Sequence, residues 1–126
     1  METLLIEPTD SSPKVVLDKE TPLFEISGIS RPENVSGFFG PVVEWLKEYA
    51  KDPLPETKFD FRFEYFNTSS IKSILVILGE LKDIEEAGSS IKVLWYYNEE
   101  DESMLEAGEL LEELSEAPFE YIPEEE

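Results

Sequence analysis

Lys58-Phe59-Asp60-Phe61-Arg62-Phe63-Glu64-Tyr65 alternates charged and aromatic side chains from end to end. Successive side chains of an extended chain point to opposite faces, so Phe59, Phe61, Phe63 and Tyr65 turn one way and Lys58, Asp60, Arg62 and Glu64 the other. The segment reads as a strand with one buried face and one wet face. Asn67-Thr68-Ser69-Ser70 follows, and then Ile71, Ile74, Leu75, Leu78 and Leu81 line a helix, with Val76, Ile77 and Ile84 widening its apolar surface before Gly88 ends it. Ile91 to Tyr97, rich in β-branched and aromatic residues, is the next strand.

Upstream, Asn34 is a helix cap for Val35, Phe38, Phe39, Val42, Val43, Leu46 and Tyr49, which recur at helical spacing until Asp52-Pro53 stops them. Pro41 sits inside that stripe, so either the helix bends there or its regular part begins at Pro41. Three short extended segments open the chain: Leu4 to Ile6, Val15 to Asp18, and Leu23 to Ile29, the last pair close enough for a hairpin. Downstream, Asn98 to Glu102 is an acidic turn. Met104, Ala107, Gly108, Leu111 and Leu114 mark a third, more exposed helix, and Phe119 to Ile122 a closing strand before a frayed Glu-Glu-Glu end.

The order is β-β-β-α-β-α-β-α-β. Strands alternating with helices call for parallel crossovers, and the opening hairpin adds antiparallel strands at one edge. We therefore expect one α/β domain over residues 1–126 with a mixed sheet, its helices mainly on one face and the Lys58, Asp60, Arg62, Glu64 face partly open to water.

Composition narrows the function. The chain has 126 residues, 30 acids against 10 bases and a formal charge of −20, with no Cys and no His. Thiolate and imidazole chemistry are thereby excluded, and with them zinc fingers, Cys or His nucleophiles and Ser-His-Asp triads. Ten scattered bases in a strongly negative field do not build a groove for nucleic acid or a patch for anionic membranes. From Glu99 onward there are 13 acids and no base, which reads first as a solubilising face. Met1-Glu2-Thr3-Leu4-Leu5-Ile6-Glu7 lacks a basic start and a long apolar run, so a cytoplasmic protein is expected.

Four places invite chemistry. Glu99-Glu100-Asp101-Glu102 lacks the alternating ligand spacing and turn glycine of a calcium loop, and reads better as the start of a helix. A carboxylate pair acting as acid and base is the alternative enzyme reading, but among 30 acids some pair is close in any fold. The six glycines are dispersed and form no phosphate cradle. The fourth place is Asn67-Thr68-Ser69-Ser70 with Lys72, at the amino end of the most apolar helix. One of these residues is simply an N-cap in the plainest reading. In the functional reading, a hydroxyl there accepts a phosphoryl group held by backbone N–H groups and the helix dipole, with Lys72 one turn in as counter-charge.

Three blocks, taken together, resemble a known family. They are Pro32-Glu33-Asn34 with Phe38-Phe39, Pro41 and Trp45-Leu46; Tyr65-Phe66-Asn67-Thr68-Ser69-Ser70; and Trp95-Tyr96-Tyr97 with the acidic run and Glu106-Ala107-Gly108-Glu109. In this order and spacing they look like the SiaC family of bacterial regulatory phosphoproteins. The resemblance implies a fold similar to STAS-type anti-sigma-factor antagonists and a non-enzymatic, partner-switching role without a cofactor of its own. It implies a GHKL-type protein kinase that brings ATP and magnesium, a PP2C-like phosphatase, and a diguanylate cyclase or other signalling enzyme that the unmodified form binds and activates. The family's acceptor threonine falls on Thr68, with Asn67, Ser69, Ser70 and Lys72 shaping the recognition loop. Arg31, where an aromatic residue is expected, and Asn98, where an acid is, depart from the family pattern.

Overall fold

In the computed structural model, which describes residues 1–125, the chain forms β1 (Leu4–Ile6), β2 (Lys14–Asp18), β3 (Leu23–Ser30), α1 (Val35–Tyr49), β4 (Glu56–Phe66), α2 (Thr68–Glu86), β5 (Ser90–Asn98), α3 (Glu102–Ser115) and β6 (Phe119–Glu124). Glu126, the last residue of the expected frayed end, lies outside the described residues. The strands lie side by side in chain order as one six-stranded sheet. β1, β2 and β3 pair antiparallel, and β3 through β6 pair parallel. Each parallel step needs a crossover, and α1, α2 and α3 supply one each.

Register explains why the helices share one face. Leu17 pairs with Phe24, Ile26 with Phe61, Phe61 with Trp95, and Trp95 with Tyr121, so the inward residues of neighbouring strands form rows. Phe39, Val42, Leu46 and Tyr49 of α1, Ile74, Ile77, Leu78 and Leu81 of α2, and Met104 and Leu111 of α3 close over those rows in a continuous core. Around Trp95, the rings of Phe61, Phe63, Phe66 and Phe119 stand 5.8 to 6.1 Å away between centroids. Pro41 lies inside α1, whose regular part begins at Val35 because the Asn34 carboxamide accepts from Gly37 N at 3.1 Å and sets the first turn.

The opposite face is open, as the charged half of the alternation requires. Arg62 dominates it: its guanidinium stacks 3.6 Å over the Tyr96 ring, and its nitrogens stand 3.2 Å from Glu124 and 3.4 Å from Glu25. Asp60 lies beside this cluster. Burial pushes its carboxyl above the ordinary range, while the Arg62 charge pulls the other way.

One expectation fails on β4. Gly28 pairs with Phe63 but Ile29 pairs with Tyr65, so Glu64 is an extra residue without a partner on β3. The bulge shifts the alternation by one: Tyr65 is 49% exposed instead of joining the phenylalanines, and Phe66 turns inward against Phe63. Gly28 carries the matching backbone with φ of 103°, a conformation that L side chains rarely adopt.

Candidate functional site

The bulge sits just before the point where β4 becomes α2. Asn67 N donates to Ser30 O at 3.0 Å, which fastens the end of β4 to the end of β3. With the backbone so anchored, the Asn67 side chain caps the helix: its Oδ1 accepts from Ser70 N at 3.2 Å and lies 2.8 Å from the Ser69 hydroxyl and 2.9 Å from the Ser70 hydroxyl. Ser70 Oγ is in turn 2.9 Å from Ser30 Oγ, and both serines are wholly buried. The Ser30 hydroxyl donating to Ser70 Oγ, and that of Ser70 to Asn67 Oδ1, leaves each proton used once.

This network sorts the residues singled out from sequence. Asn67 is the cap and is half-buried. Ser69 is exposed, with its hydroxyl donated to the cap. Ser70 does not belong to a surface loop. It faces inward at the third helical position, and its burial under the strand ends removes it from direct contact with a partner. Thr68 occupies the first position of α2 and is exposed, and none of the hydrogen bonds that knit the cap uses its hydroxyl. Lys72, also exposed, follows Thr68 by four residues, and Val76 by eight, which puts all three on one stripe of the helix. That stripe borders a groove of about 300 Å³ between α1 and α2, lined by Phe39, Gly40 and Val43 opposite Lys72 and Val76.

Ser30 was not singled out, and nothing in its own neighbourhood marks it. Its contact with Ser70 spans forty positions and exists only because β3 and β4 run parallel in this register. The cap has a measurable consequence. Asn67→Ala removes the side-chain acceptor shared by Ser70 N and the Ser69 and Ser70 hydroxyls, so it is expected to lower the unfolding free energy by about 2 kcal/mol, read by denaturant titration, a value near the top of the range for capping residues.

The acidic run resolves as helix-starting structure. Asp101 Oδ1 accepts from Met104 N at 3.0 Å and caps α3, and Asn98 Oδ1 accepts from Glu100 N at 2.9 Å. Among the described residues, no three acidic side chains converge as a metal-binding group. A cleft of about 630 Å³ on the open face, lined by Arg62, Tyr96, Tyr97 and Asn98, is crowded by Glu64, Glu100, Asp101 and Glu124. Its one cation is already committed to Glu124 and Glu25. Among the described residues no helix is long and apolar enough to cross a membrane.

The comparison with known proteins fits this geometry. A family model described as SiaC family regulatory phosphoprotein matches residues 6–124. The chain belongs to the SiaC family. An uncharacterized protein of Pseudomonas aeruginosa (strain UCBPP-PA14) is 32% identical over 119 residues, with 94% of each chain covered. Two solved structures of SiaC from Pseudomonas aeruginosa share the fold. The apo-SiaC crystal structure superposes with a TM-score of 0.87 at 30% identity, covering 97% of this chain and 99% of the other. SiaC crystallised as the activator in complex with the diguanylate cyclase SiaD gives 0.88 at 30% identity, over 96% and 99%. Family membership accords with the mixed six-stranded sheet and three helices.

Proposed function

We propose that this protein is a non-enzymatic phosphoswitch whose unmodified form binds and activates a diguanylate cyclase, and whose Thr68 is the reversible phosphoacceptor. The observation that carries the reading is the Thr68 hydroxyl, exposed at the first position of α2 and outside the hydrogen-bonded cap. An acceptor must reach a transferase without unfolding the helix start, and of the three consecutive hydroxyls only this one is both exposed and uncommitted. Membership in a family of regulatory phosphoproteins supports modification, and a SiaC relative in complex with a cyclase supports the output.

The chemistry is local. A GHKL-type kinase delivers the phosphoryl group from ATP and magnesium, and a PP2C-like phosphatase removes it. The added group carries about −1.5 to −2 charges, and the helix dipole and the unpaired N–H groups of the first turn favour it there. Lys72 adds a counter-charge on the same stripe, while Ser69 and Asn67 frame the loop. The partner-switching logic is that of STAS-type antagonists, and it places the protein in the cytoplasm with its kinase.

Phosphate incorporation by the cognate kinase, located by mass spectrometry, tests the site. We expect a single phosphate on the wild type, the same on Ser69→Ala, and none on Thr68→Ala. Equal incorporation into Thr68→Ala would falsify the assignment.

A further inference from the structure

Helix α3 presents a face that the phosphoswitch does not use. Its inner side is fixed: Met104, Gly108 and Leu111 are buried, with Gly108 directly against the Trp95 indole. Along its outer side Leu110 and Leu114 lie four residues apart, one helical turn, next to Ala107, which is partly buried against the core. Leu110 is 49% and Leu114 58% exposed. Single exposed leucines are ordinary, but two a turn apart on one seam of a rigidly held helix form a contact surface. Every charged residue of α3 is acidic, and Glu106, Glu109 and Glu113 flank the seam on its solvent side.

The charge names the occupant. A second copy of this chain would bring the same carboxylates against these, and anionic lipid or nucleic acid would be repelled. In helix pairs, the residues flanking the seam set partner choice by opposite charge. We propose that α3 docks a basic amphipathic helix of a protein partner, with apolar residues seated on Leu110 and Leu114 and Lys or Arg beside Glu106, Glu109 and Glu113. The surface excludes Thr68, so the inference stands apart from the phosphoswitch.

The full chain would be titrated with a synthetic three-heptad peptide carrying Leu at the seam positions and Lys at the flanking ones, and with the same peptide bearing Glu at the flanks. Anisotropy at physiological ionic strength should detect binding of the Lys peptide alone, with amide NMR shifts confined to α3 and its neighbours. The double variant Leu110→Ser, Leu114→Ser keeps every charge. It should weaken the Lys peptide about tenfold or more without altering thermal unfolding, since both side chains are exposed. The double variant Glu106→Lys, Glu113→Lys should transfer preference to the Glu peptide. Undiminished binding to the serine variant would reveal mere attraction to an acidic surface and overturn the proposal. Shifts mapping away from α3 would also overturn it, as would self-association of the wild type that the serine variant abolishes.

Discussion

Trp95→Ala is expected to remove about 4 kcal/mol of stability, lowering the melting temperature by about 15 °C, because it empties the middle of the core. The indole is 1% exposed, lies among four phenylalanine rings, and donates from Nε1 to Met104 O at 3.0 Å. Its loss leaves a cavity between rigid aromatics and removes the side-chain hydrogen bond that ties β5 to α3, and these costs add. Gly108 is the other half of the contact: a Cβ there would lie 2.6 Å from Trp95 Nε1 and 2.7 Å from Cδ1. Helix propensity alone predicts that Gly108→Ala stabilises by about 1 kcal/mol. Overpacking against a pinned indole costs about 1–3 kcal/mol, so a net loss is expected. The cost should shrink in a Trp95→Phe background, where the smaller ring yields, and a double-mutant cycle by denaturant unfolding measures that coupling. Additive effects would mean that the contact does not govern α3 docking.

This contact also shows what the sequence could tell. Trp95-Tyr96-Tyr97 and Glu106-Ala107-Gly108-Glu109 carried part of the family resemblance as patterns, and in the fold Trp95 of the one and Gly108 of the other are the two sides of one close approach. The strands and helices were legible because their periodicities are long and consistent: the alternation at Lys58 to Phe63 and the apolar stripe of α2 each have one low-energy reading, whereas Pro41 left the start of α1 open. Tyr65 was misread because the bulge that turns it outward is set by pairing with Gly28 and Ile29, on another strand. Ser70 was misread for a similar reason. A serine after Thr68-Ser69 looks like loop, yet its burial depends on Ser30 arriving at the end of β3. That one of Asn67 to Ser70 caps α2 was legible because capping is local, written within a few residues of the helix start; that the cap is Asn67 came from the structure.

Phosphorylation of Thr68 is expected to weaken binding to the cognate diguanylate cyclase by about a hundredfold or more, measured by calorimetry and by cyclase output. The wild-type hydroxyl takes no part in the cap, so Thr68→Ala should keep the fold and, losing only a methyl and a hydroxyl, bind nearly as the wild type does. Phosphate is different in kind. It adds a near-dianion to a chain already at −20, beside the α1–α2 groove where Lys72 is the one basic residue. A partner shaped for the neutral surface would have to desolvate that group without pairing it, and a hundredfold corresponds to about 2.7 kcal/mol, within the range of one unpaired charge in an interface. Thr68→Asp should act in the same direction but less strongly, since it has half the charge and a planar head. The sign is the discriminating feature. A cyclase offering an arginine pocket would bind the phosphorylated form more tightly, and a tighter complex of the modified protein would reverse the switch proposed here.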